Sequence, residues 1–122
     1  MTTTTLEPSF LRSVVVMTMF SPKRMTRCQA GLLLIGLNGG DFTAAQLPGE
    51  LTEGNKHCAG AATGSLVATG LLTVIGRIKS PQPNAKGRKL DVLRLTSLET
   101  AKTWLRANHF TVPDTSHQLN FL

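Results

Sequence analysis

At 122 residues the chain has room for a single hydrophobic core. Its 16% charged and 41% hydrophobic residues exclude a disordered composition. The net charge of +6 and the pI near 10.0 point to a polyanionic partner, with plain solubility as the competing explanation.

The N-terminal MTTTTLEP lacks a basic leader region, and SVVVMTMF is followed by Lys23 and Arg24 rather than a cleavage site. No apolar run approaches the roughly 18 residues of a membrane span. The expectation is a cytoplasmic protein with no membrane partner. Three segments are expected: a leader and apolar segment over residues 1–25, a central unit over 26–96, and a C-terminal helix with its tail over 97–122.

Residues 1 to 8 read as a polar leader. Residues 9 to 20 are apolar and ambiguous. Val14, Val15 and Val16 favour a strand, whereas Phe10, Leu11, Val14 and Met17 fall at helical spacing. A helix is expected, broken by Ser21-Pro22.

Residues 26 to 38 read as a second helix. Thr26 and Gln29 offer a T-x-x-Q capping box, Ala30, Leu33, Leu34 and Leu37 a buried stripe, and Asn38-Gly39-Gly40 a stop. Residues 41 to 51 read as a short helix with Thr43 and Gln46 as a second box. Pro48 is expected to kink that helix or split it. Asn55 can cap a third helix over residues 55 to 70, with Ala59, Ala62, Leu66 and Thr63 turned inward.

Gly70 ends the third helix, and LLTVIGRIK over 71 to 79 reads as a strand. The tip SPQPNAKG over 80 to 87 and the return strand RKLDVLRL over 88 to 95 complete a hairpin. Arg77, Lys79, Lys86, Arg88, Lys89 and Arg94, set against Asp91 alone, concentrate most of the net positive charge there. Thr96 and Glu99 suggest a third box opening a helix to about His109, with Leu98, Ala101, Trp104 and Leu105 toward protein.

Chemistry-bearing patterns are sparse. There is no G-x-x-x-x-G-K-[ST] loop and no G-x-G-x-x-G fingerprint. Glu50 and Glu53 read as a solvated helix end. His57 and Cys58 are adjacent on a helix, so their side chains point about 100° apart and do not face each other. His109 reads as a cation at a helix C-terminus, and Trp104 as a core or interface anchor. Cys28 and Cys58 are expected reduced and buried, and no Cys or His pair has the C-x-x-C type of ligand spacing. Neither a catalytic role nor a cofactor or metal is expected.

Three pieces together carry a resemblance: Phe42-Thr43-Ala44-Ala45-Gln46-Leu47 before the turn, Gly70-Leu71-Leu72 after the third helix, and Gly87-Arg88-Lys89 through Leu95-Thr96 on the return strand. In this order the chain resembles winged helix-turn-helix proteins, most of all the bacterial MarR-type regulators. The resemblance spans residues 26 to 105. It implies an α+β fold, mainly helical with a small β-hairpin wing, plus an extra N-terminal segment and a C-terminal helix. It also implies a third helix lying in the DNA major groove and a wing against the backbone or minor groove.

Carried over by position, the outward residues of that helix are Lys56, His57, Gly60, Ala61, Gly64 and Ser65. The wing contributes Arg77, Lys79, Lys86, Arg88 and Lys89. The helix face departs from the usual pattern, because base readers are typically Arg, Lys, Asn, Gln, Ser or Thr. The glycines could allow close approach to a phosphate chain, could form a smooth surface for a partner protein, or could serve tight packing within the domain. The leading expectation is a homodimer that binds double-stranded DNA with low sequence specificity, as a transcription regulator or accessory factor. The alternative is a protein-interaction module.

Overall fold

The computed structural model describes residues 6–53, 57–79 and 89–112. The fold is mainly helical with one two-stranded antiparallel hairpin, an α+β arrangement. In chain order it consists of α1 (Pro8–Thr18), α2 (Arg24–Leu37), a 3-10 turn (Ala44–Gln46), α3 (Gly49–Thr52), α4 (Cys58–Ala68), β1 (Leu72–Lys79), β2 (Lys89–Leu95) and α5 (Leu98–Ala107).

Helix α2 is the centre of the molecule. Every residue from Ala30 to Leu37 is buried, so the helix is covered on all sides rather than along the stripe its spacing suggested. Its two glycines permit that. A Cβ at Gly31 would lie 2.8 Å from both Leu47 Cδ2 and Leu51 Cδ1, and one at Gly36 would lie 2.6 Å from Leu95 Cγ. The 3-10 turn, α3 and β2 therefore pack directly against the α2 backbone. The outer helices are not appendages: Phe10 and Val14 of α1, Ala101 and Leu105 of α5, and Phe110 belong to the same buried cluster.

The apolar segment at the N-terminus is helical. Phe10 and Val14 are buried four residues apart, and the Thr18 hydroxyl is satisfied by the Val14 carbonyl at 2.7 Å. The expected box at Thr26 does not form. Lys23 takes the extended N-cap conformation, so α2 starts earlier and Thr26 falls inside it, while Gln29 reaches across to α4 instead. Gly39 and Gly40 stop the helix at φ of 93° and 82°.

The Thr43–Gln46 box is present, with the Thr43 amide donating to Gln46 Oε1 at 2.9 Å. Of the two outcomes expected at Pro48, a kink or a split, the split is the one found: the segment is two pieces. Leu47 and Pro48 are extended, because proline lacks a donor and disfavours helical backbone in the residue before it. The Asn55 cap lies outside the described residues.

Helix α4 ends in a Schellman motif: the Leu71 amide donates to Leu66 O at 2.9 Å and the Gly70 amide to Val67 O at 3.1 Å, with Gly70 at φ 83°. Helix α5 ends the same way, through Phe110 to Leu105 O and His109 to Arg106 O. There His109 fills the left-handed position, at φ 68°. Its place is thus set by backbone geometry, beyond the charge reading of the sequence.

The hairpin pairs Leu72 with Leu95 and Lys79 with Lys89, with an irregularity between Val74 and Gly76 that accommodates Ile75. Phe42 adds an isolated antiparallel bridge to β2, exchanging hydrogen bonds of 3.0 and 2.7 Å with Leu93. The α5 cap is Ser97, whose hydroxyl accepts from the Thr100 amide, and not Thr96, whose hydroxyl is held by Thr73 at 2.8 Å. Leu98, expected to face protein, is 48% exposed. Trp104 is half-buried, stacked on Phe110, which also meets Phe20 at 5.1 Å. No helix of the described residues is long and apolar enough to cross a membrane.

Candidate nucleic-acid interface

Cys58, Ala62 and Leu66 recur at four-residue spacing and form the buried side of α4. The opposite side carries Gly60, Ala61, Gly64 and Ala68, all exposed, with His57 exposed at the N-terminal end. A Cβ built at Gly60 or Gly64 meets nothing within 4 Å. Tight packing inside the domain is therefore not what these glycines provide.

Ser65 does not join that outward face. It is half-buried, and its hydroxyl accepts from Gln29 Nε2 at 2.9 Å, which holds α4 to α2. Lys56, another outward residue expected on this helix, lies outside the described residues, as do Lys86 and Arg88 of the wing. Among the described candidates on α4, His57 is the one outward side chain with polar atoms.

The hairpin has a graded charge. Arg94 Nε and Nη2 reach the two carboxylate oxygens of Asp41 at 2.9 and 3.3 Å, a fork-to-fork pair. Hydrogen bonding to Asp41 raises the Arg94 pKa further above its ordinary value. Arg77 donates to Asp91 at 3.0 Å from the directly opposite position on the other strand. These two cations are neutralised locally and belong to the scaffold more than to any footprint.

The next described rung is different. Lys79 and Lys89 are directly opposed across the ladder and both are exposed. Like charges in that arrangement work against strand pairing. The lysines stand at the end of the hairpin from which the basic tip sequence runs.

Sequence reasoning missed the Arg94–Asp41 pair, whose members are 53 positions apart. The Gln29–Ser65 bond also escapes it, because the T-x-x-Q spacing marks Gln29 as a cap residue. Among the described residues no three His, Cys, Asp or Glu side chains gather where a metal ion could be held.

Compared with known proteins, the chain matches no protein family, and neither a curated protein nor a solved structure matches it. By its structure the chain is a mainly helical domain with a β-hairpin wing.

Proposed function

We propose that the protein is a winged helix-turn-helix module that binds double-stranded DNA through its hairpin and α4. The observation that carries this reading is the Lys79–Lys89 rung: two lysines set face to face with their charges unopposed across the ladder, while the cations nearer the hairpin base are paired with Asp91 and Asp41. Phosphates would relieve that repulsion, and each neutralised phosphate releases condensed counterions. The open glycines of α4 support the same reading, since a helix without side chains at Gly60 and Gly64 can approach a backbone closely.

On this reading binding is mainly electrostatic. The α4 face offers little for direct base readout, so the ratio of specific to non-specific affinity lies near the low end of the usual ~10³–10⁷. The role is that of a regulator or accessory factor in the cytoplasm, in line with the resemblance to MarR-type proteins. Fluorescence anisotropy with a labelled mixed-sequence duplex tests it. Micromolar or tighter binding that weakens steeply with salt supports the proposal, and no binding at low salt refutes it.

One observation favours a second reading. Gly60, Ala61, Gly64 and Ala68 make a smooth exposed strip without side-chain donors or acceptors, suited to a partner helix. Gly64→Arg separates the two, since the site has room for a side chain. A new cation raises duplex affinity if α4 faces DNA, and abolishes a protein contact if it faces a partner.

Self-association belongs to the same proposal. Val16, Met19, Phe20 and Met25 remain exposed at 74%, 38%, 60% and 39% near the end of α1 and the start of α2. A two-fold dimer would cover them.

A further inference from the structure

Cys28 in α2 and Cys58 at the start of α4 are both free and buried, and their sulfurs are 3.1 Å apart. We propose that these two thiols are a site of covalent modification, a latent disulfide that pins α4 to α2 when the protein meets a peroxide. The sulfurs have about 1 Å to close to reach the S–S bond length of ~2.03–2.05 Å. Two sulfurs this close, 30 positions apart in sequence, are held so by the fold rather than by chain proximity.

The hydrogen bonding assigns each thiol a part. The Cys28 thiol donates to the Leu51 carbonyl at 3.3 Å, so its sulfur is left to accept the proton of Cys58. Burial above all pushes the Cys28 thiol up to about 12, which keeps it protonated. Cys58 is 4% exposed against 0% for Cys28, and it follows the exposed His57. Cys58 is therefore the sulfur that a small oxidant reaches first.

The chemistry balances with one peroxide. The Cys58 sulfur attacks a peroxide oxygen, the O–O bond breaks, and a sulfenic acid and one water result, the thiol proton leaving with that water. The Cys28 sulfur then attacks the sulfenyl sulfur, the S–O bond breaks, and a second water carries away the hydroxyl and the Cys28 proton. Two thiols lose two electrons, and hydrogen peroxide becomes two waters.

The bond would close a loop holding the 3-10 turn and α3, and it would join the Gln29–Ser65 hydrogen bond, two turns further along α4, in fixing this helix. Constraining the unfolded chain over a loop of that length should raise Tm by roughly 10 °C. Nothing in this depends on whether α4 meets DNA.

The test treats the folded full chain with hydrogen peroxide. The expected result is an intact mass lower by two hydrogens, loss of both titratable thiols, a peptide map linking Cys28 to Cys58, and a Tm gain reversed by dithiothreitol. The yield should not depend on protein concentration. Cys58→Ser should leave Cys28 unmodified under the same treatment. If that variant fails to fold, the mass and map of the unaltered chain still decide. Persistent free thiols, links only between chains, or a bond formed only in denaturant would overturn the proposal.

Discussion

Replacing Gly60 and Gly64 together by alanine should move stability and binding in opposite directions. Glycine in a helix interior is about 0.8–1.0 kcal/mol less favourable than alanine. Neither added methyl meets an atom within 4 Å, so no steric term offsets the gain. Neither site has a packing partner to lose, so the pair should give up to about 1.5–2 kcal/mol and a Tm higher by several degrees. If α4 lies against a phosphate backbone, the same methyls hold it off and weaken duplex binding. Thermal denaturation and anisotropy on one preparation read both effects. The contrasting variant is Gly36→Ala, whose methyl would lie 2.6 Å from Leu95 Cγ; overpacking there should cost about 1–3 kcal/mol. A destabilised Gly60/Gly64 variant would refute the assignment of these glycines to an open face, and unchanged duplex affinity would remove α4 from the interface.

Three further outcomes are expected. His109→Gly should stabilise the domain by about 1 kcal/mol, because His109 occupies the left-handed position of the α5 terminus; a lower midpoint in chemical denaturation would contradict this. The raised Cys28 pKa makes the neutral thiol the folded form, so its contribution is fully present below the ordinary thiol value of 9.0 and is lost as pH rises toward about 12. Stability measured between pH 8 and 11 should therefore fall more steeply for the wild type than for Cys28→Ala. Sedimentation at tens of micromolar should give a dimer mass that Phe20→Asp shifts toward monomer, whereas a monomeric wild type would count against the exposed α1 patch as an interface.

Much of the frame was legible because its signals are local. Asn38-Gly39-Gly40, the Thr43–Gln46 box, the break at Pro48 and the Gly70 stop each depend on neighbours within a few positions. The errors share a cause as well. T-x-x-Q and T-x-x-E at Thr26 and Thr96 are satisfied in sequence, but whether a threonine caps depends on whether its hydroxyl has another partner, and Thr96 has Thr73. Leu98 follows helical spacing yet faces solvent, because α5 is buried through Ala101 and Leu105. The site was the least legible part. Glycine and alanine carry no polarity to mark a face, so Gly60 and Gly64 could have pointed inward or outward until the packing placed them. Nor could the six hairpin cations be sorted, since Asp41 finds Arg94 only through the fold.

On the proposed reading the hairpin docks phosphates through Lys79 and Lys89. Both are exposed and mutually repelling, so Lys79→Ala with Lys89→Ala should leave the fold intact, and circular dichroism can verify that. The deciding measurement is the slope of log affinity against log salt for a mixed-sequence duplex, wild type against this double variant. The expected slope is shallower by about 1.8 units, with weaker binding to every sequence alike. An unchanged slope in a folded double variant would contradict it.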